Sequence, residues 1–119
     1  LEQNDKVAYV NYCGLENDKY HALAEKYLPN GSCGVVSFGV KGGRKAAEEF
    51  MKHLKLGSIE THVADARTCC LHPASATHRQ MNDEELTACG VYPDLVRYSC
   101  GLEDAEDLIA DLEQAFAQI

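Results

Sequence analysis

The stretch Leu95-Val96-Arg97-Tyr98-Ser99-Cys100-Gly101 decides the fold, together with the acidic amphipathic run Glu103 to Ile119 that follows it. The first seven residues read as a strand closed by glycine. Strand side chains alternate faces, so Val96, Tyr98 and Cys100 share one side, while Leu95, Arg97 and Ser99 share the other. The following run carries its apolar stripe at Ala105, Leu108, Ile109, Leu112, Ala115, Phe116 and Ile119, the spacing of a helix. A strand feeding a helix that folds back on its apolar side leaves a permanently charged guanidinium on the opposite side. That group is a planar fork suited to a carboxylate or phosphate. On pattern alone, a solvated arginine on an exposed sheet face accounts for it slightly better.

Outward from this stretch the chain alternates strands and helices. Val7 to Val10 is a short strand. Asn17-Asp18 offers a helix cap before Tyr20, Leu23, Ala24, Tyr27 and Leu28, which recur at helical spacing and stop at Pro29-Asn30-Gly31. Gly34 to Val40 reads as a strand with Val36, Phe38 and Val40 on one face. Gly42-Gly43 turns into a helix from Arg44 to about Leu54, with a stripe at Ala46, Ala47, Phe50, Met51 and Leu54. Two short strands are expected at Ser58–His62 and Arg67–Leu71, around Ala64-Asp65-Ala66. His72-Pro73 ends the second, because proline lacks a ladder donor. A short helix capped by Asn82 or Asp83 ends at Gly90, and Tyr92-Pro93-Asp94 turns into the Arg97 strand. This order predicts an α+β fold, a two-layer sandwich in which a small, mostly antiparallel sheet carries its long helices on one face. The Arg97 face is expected to lack cover within the chain.

With 119 residues the chain is one domain, residues 1–119, able to bury roughly 65% of its unfolded surface. Its 45% hydrophobic and 25% charged content are globular values. A net charge of -8 argues against a nucleic-acid partner, and no apolar run approaches the ~20 residues that span a bilayer. The acidic groups Glu48, Glu49, Glu103, Asp104, Glu106, Asp107, Asp111 and Glu113 are expected on solvated helix faces. The six cysteines form no C-x-x-C pair, and free, buried thiols in a reducing cytoplasm are the expectation. A metal site from Cys69, His72 and His78 is the competing reading. His21 and His53 are expected at helix surfaces. No nucleophile elbow and no phosphate loop is present. From the residues alone this is a non-catalytic domain with an anion-binding arginine.

Several ordered runs resemble one family. Arg97-Tyr98-Ser99-Cys100-Gly101-Leu102-Glu103, continuing to Asp107-Leu108-Ile109-Ala110-Asp111-Leu112, is similar to the R-L-S-V-G-I-E and D-L-I-x-D-L close of the Cys/Met-metabolism enzymes that use pyridoxal phosphate (PLP). His72-Pro73-Ala74 with Thr77-His78 resembles their H-P-A-x-x-T-H. Phe38 to Gly43 resembles S-F-x-x-K-G-G, and Tyr12 to Leu15 resembles Y-P-G-L. The likeness runs from about Val7 to Gln118. Lys26 to Gly31 and Val63 to Thr68 resemble segments of the O-acetylhomoserine sulfhydrylase branch. The cystathionine γ-synthase and γ-lyase branches, and a free-standing carboxylate-binding module, are the alternatives.

The resemblance implies a C-terminal domain whose PLP-binding domain precedes it. The start at Leu1 rather than methionine agrees with that expectation, and none of the seven lysines stands in an S-x-T-K context. The chain alone is then expected to hold no PLP and to be inactive. The implied parent reaction is γ-replacement of acetate by sulfide, giving homocysteine. Implied partners are an amino-acid substrate and the preceding domain, with a cytoplasmic location and a homo-oligomer, tetrameric in the family. By the same resemblance, Arg97 binds the substrate α-carboxylate, and Thr68 stands where the family has a substrate-site serine. Departures are Ala64 for glycine, Cys69 for leucine, Glu60-Thr61-His62 for an apolar-then-Asn run, and Cys100 for valine. An alanine at 64 matters if that position needs a positive φ.

Overall fold

The computed structural model describes residues 1–119. The elements are β1 (Val7–Asn11), α1 (His21–Tyr27), β2 (Val35–Val40), α2 (Gly43–His53), β3 (Ser58–Ile59), β4 (Cys69–Leu71), a 3-10 turn (Pro73–Ser75), α3 (Asp83–Ala88), β5 (Leu95–Ser99) and α4 (Ala105–Phe116). They build one five-stranded sheet in the order β1-β2-β5-β4-β3. Every pairing is antiparallel except β3 with β4. The architecture is the α+β sandwich expected, with α2 and α4 packed on each other over one face.

The alternation of β2 and β5 places the core. Phe38 pairs with Val96, and Val36 with Tyr98, so their side chains share the helical face. Phe38, Val40 and Val96 are fully buried there with Ala47 and Phe50 of α2 and Ala115 of α4. The rings of Phe50 and Phe116 lie 4.4 Å apart, with Phe38 edge-on to Phe50 at 5.8 Å. The turn into α2 uses Gly42 at φ 102° and Gly43 at φ 73°, conformations that an L side chain resists. At α3, Asn82 accepts from the Glu85 backbone N–H, and Glu85 accepts from that of Asn82. This is the reciprocal capping box.

Three expectations are corrected. The two strands expected in segment 58–71 are present but shorter than expected. Only Ser58–Ile59 and Cys69–Leu71 are extended, and they run parallel, so the nine intervening residues 60–68 form a crossing loop. The apolar positions of α1 recur at helical spacing as read, and most of them are exposed. Ala24 is covered, but Tyr20, Leu23, Tyr27 and Leu28 are exposed, because α1 stands away from the sheet. Asp111 is not a solvated acid; it is 6% exposed. The cysteines divide: Cys69 and Cys70 are buried and Cys13 is half-buried, whereas Cys33, Cys89 and Cys100 are exposed. Cys100 lies on the helical side as its register requires, but beyond the end of the core, where it lines an open groove with Leu1, Val36 and Ile109.

Candidate functional site

Arg97 sits at the centre of the sheet. Its strand neighbours are Ser37 on β2 and Leu71 on β4, and Ser37 in turn faces Asn11 on β1. All four side chains share the face away from the helices. The β4 half of that face is not open as expected. Loop 60–68 folds over it, and Cys69, Leu71 and Ser99 are buried beneath. The β1 half, with Asn11 exposed and Ser37 half-buried, stays open. Arg97 therefore stands on the boundary between a covered and an uncovered half.

The guanidinium makes no ion pair. Its Nη2 donates to the backbone carbonyls of Thr61 and His62, at 2.7 and 3.1 Å. Its Nε–H is buried and has no acceptor. A buried donor left unpaired costs about 1–3 kcal/mol, a cost that an acceptor able to reach it would relieve. The loop thus aims the guanidinium through one nitrogen and leaves the rest of the fork unspent.

That loop is pinned at its middle and at its far end. Ala64 N–H donates to Ser99 Oγ at 3.2 Å. At the far end, both oxygens of Glu103 accept from Thr68, Oε1 from the backbone N–H at 2.8 Å and Oε2 from the hydroxyl at 2.7 Å. Gly101 N–H donates to the same hydroxyl at 2.9 Å. These donors, the Thr68 backbone N–H first, hold the Glu103 carboxyl below its ordinary range. Gly101 is required by proximity: a Cβ there would lie 2.5 Å from the Ala66 carbonyl oxygen. The glycine and glutamate of the closing motif are therefore parts of a latch, which sequence spacing alone did not disclose.

Thr68 is fully buried and its hydroxyl is committed within this latch. Substrate contact by that hydroxyl is not what the geometry offers. Thr68 stands as a residue that positions loop 60–68, and through it Arg97.

Ala64, where the family pattern has glycine, has φ 56°. The left-handed region costs an L residue roughly 1–2 kcal/mol, partly offset by glycine's larger loss of freedom on folding. Ala64→Gly is expected to stabilise the chain by about 0.5–1 kcal/mol, seen as a higher urea midpoint with an unchanged slope.

The other candidate ligands are otherwise engaged. Cys69 Sγ lies 3.4 Å from the Arg67 carbonyl. His72 is buried, its Nε2 toward the Pro93 carbonyl and its Nδ1 toward Ser75 Oγ, both at 2.8 Å. These partners assign the proton to Nε2 and make His72 a brace between the 3-10 turn and the start of β5. Glu60, His62 and Asp65 do converge within 4.8 Å of one another. The Arg67 guanidinium already pairs with Glu60 at 3.0 Å and Asp65 at 3.7 Å, so that cluster is partly neutralised from within.

The fold is a two-layer α+β domain with an incompletely satisfied guanidinium on the half-open side of its sheet. The chain belongs to the Cys/Met-metabolism PLP-dependent enzymes, whose sequence model matches residues 1–117. It is 46% identical over 117 residues to O-acetyl-L-homoserine sulfhydrylase 1 of Thermus thermophilus, covering 98% of this chain and 28% of that protein. It is 46% identical over 115 residues to the homocysteine synthase of Schizosaccharomyces pombe, covering 97% and 27%. The fold matches a Campylobacter jejuni crystal structure named for O-acetylhomoserine (thiol)-lyase, with a TM-score of 0.88 and 35% identity, over 98% of this chain and 28% of that one. That structure carries a pyridoxyl-lysine phosphate adduct. The chain spans little more than a quarter of the length of these relatives.

The lysines present do not fit the cofactor side of such a site. Six of the seven lysines are exposed, and the seventh, Lys6, donates to the Ile119 carbonyl. None is the buried amine that a covalent PLP linkage uses.

Proposed function

We propose that this chain is the carboxylate-binding C-terminal domain of a PLP-dependent O-acetylhomoserine sulfhydrylase. The observation that carries the reading is the unpaired, buried Nε–H of Arg97 at the edge of the uncovered half-sheet. The relatives named for sulfhydrylase and homocysteine synthase support the branch. The reaction exchanges the bond from the γ-carbon of O-acetylhomoserine to its ester oxygen for a bond to sulfur. Acetate leaves, and hydrogen sulfide supplies the sulfur of homocysteine and the proton that balances it. PLP, held elsewhere in the polypeptide, supplies the electron sink. The work of this domain is orientation. Arg97 fixes the α-carboxylate, and the Thr68–Glu103–Gly101 latch holds the loop that aims Arg97.

The preceding domain is the partner that covers the open half-sheet. A cytoplasmic location and a homo-oligomeric enzyme go with the same reading. Six free cysteines agree with a reducing compartment, and no helix is long and apolar enough to cross a membrane. The whole polypeptide, given O-acetylhomoserine and sulfide, is expected to release homocysteine and acetate. A product found only when cysteine replaces sulfide would make it a cystathionine-forming enzyme. No turnover of either pair would end the proposal.

A further inference from the structure

The open half of the sheet carries a second feature of opposite sign. Tyr9 lies across from Gly39, which lies across from Leu95, one row along from Asn11, Ser37 and Arg97. Its ring therefore lies on the Arg97 face. Gly39 makes room for it: a Cβ at 39 would sit 2.2 Å from the Tyr9 ring and 2.7 Å from Asp94 Oδ2. The Tyr92 ring meets Tyr9 edge-to-face, with centroids 6.0 Å apart and planes at 68°. Tyr9, Asn11, Tyr92 and Asp94 line an open surface hollow of about 440 Å³.

Asp94 is the only charged group lining that hollow. Its Oδ1 accepts a long hydrogen bond, 3.3 Å, from the Tyr9 hydroxyl. Burial, and then the Asp94 charge, push the Tyr9 phenol well above its ordinary range, so it stays a neutral donor. Asp94 joins none of the ion pairs in the structure, although Arg44, Lys52 and Arg67 all find acidic partners. Two aromatic rings and an unpaired carboxylate around one hollow attract a positive charge and repel an anion. The aromatic rings favour an organic cation, whose alkyl part can bury against them while its nitrogen meets the carboxylate.

We propose that Tyr9, Tyr92 and Asp94 form a binding site for an organic cation, an alkylammonium or guanidinium group. The site is separate from the Arg97 clamp and does not depend on it. That chemistry has two sources: a free small molecule, or a lysine or arginine side chain of the polypeptide that covers this half of the sheet.

The test uses the whole polypeptide labelled with 3-fluorotyrosine, with the Tyr9 and Tyr92 fluorine resonances assigned from Tyr9→Phe and Tyr92→Phe. Butylammonium chloride is titrated against the uncharged control 1-butanol. If the site takes a free cation, butylammonium shifts both resonances saturably, with a dissociation constant on the order of millimolar. Butanol then acts at least about tenfold more weakly, and Asp94→Asn removes the difference. If a side chain already fills the site, neither probe acts. A crystal structure of the whole polypeptide then places a lysine or arginine nitrogen within about 4 Å of Asp94. Equal action of the two probes overturns the proposal. So does silence of both with no cationic nitrogen at Asp94.

Discussion

Arg97→Lys, made in the whole polypeptide, is expected to lower kcat/KM for O-acetylhomoserine by about a hundredfold, and Arg97→Ala by about a thousandfold. Losing one partner of a desolvated, hydrogen-bonded charge pair costs roughly 2–5 kcal/mol, and each 1.36 kcal/mol is a factor of ten. The lysine variant discriminates between roles. Arg97 has a structural task, since Nη2 donates to the Thr61 and His62 carbonyls. An ammonium can take over donation to two carbonyl oxygens, so a merely structural arginine would tolerate lysine. It cannot offer the planar fork whose Nε–H is unpaired. Folding stability of Arg97→Lys is therefore expected within about 1 kcal/mol of the parent while turnover collapses. The loss should vanish for a substrate analogue without an α-carboxylate, measured by competition or single turnover. Unchanged kinetics in both variants would remove Arg97 from the substrate site.

The position of Arg97 was legible because strand alternation is a short-range rule. Val96 and Tyr98 had to face the helix, so Arg97 had to face away. The α2 stripe, the α4 stripe apart from the exposed Ala105 and Ile109, and the glycine turn at 42–43 were legible for the same reason. Ala64 was legible through the family pattern, and its φ of 56° is the conformation a glycine there would accommodate. What escaped the sequence depended on long-range partners. Loop 60–68 is polar and irregular, and nothing local says that it crosses between parallel strands and folds over β4 and β5. Thr68 and Glu103 are 35 residues apart, so their latch has no periodic signature. The apolar spacing of α1 is real, but spacing predicts a helix and not what covers it. Tyr20, Leu23 and Tyr27 remain exposed.

Asp111 shows how a rule that works on average fails at one residue. Its helix is acidic and its neighbours Asp107 and Glu113 are exposed, so charge patterning put it in water. Its carboxylate instead turns inward, beneath the segment where the backbone leaves α2. Oδ1 accepts from the Lys55 N–H at 2.8 Å, and Oδ2 accepts from the Leu56 and Gly57 N–H groups at 2.9 Å each. Those three successive donors leave a helix end without entering a ladder, and they need an acceptor from elsewhere. Gln114 completes the joint, donating to the His53 carbonyl at 2.6 Å and to Asp111 Oδ1 at 3.1 Å.

Asp111→Ala is expected to destabilise the protein by about 3–4 kcal/mol in urea denaturation. It strands three partly or fully buried backbone donors at once, and charge-assisted bonds are worth roughly twice neutral ones. Asp111→Asn keeps one acceptor oxygen but turns an amide toward a donor, so a smaller loss of about 2 kcal/mol is expected. Acid sensitivity supplies an independent check. Burial raises the carboxyl's affinity for protons, but the N–H groups of Gly57, Lys55 and Leu56 outweigh it and hold the folded group below its ordinary value. A carboxyl depressed in the folded state stabilises above its unfolded pKa, and that contribution is lost as pH falls through the folded value. The parent protein should therefore lose stability steeply below about pH 4, where unfolded carboxyls begin to take up protons. Asp111→Ala should show a shallower acid limb, offset downward at neutral pH. Glu103, depressed by its Thr68 donors, should keep part of the slope in that variant. If the two curves ran parallel from pH 7 to pH 2, the Asp111 joint would be carrying no charge-dependent stability. The turn from α2 to β3 would then be held by the Gln114 bond to the His53 carbonyl and the apolar contacts of Leu54.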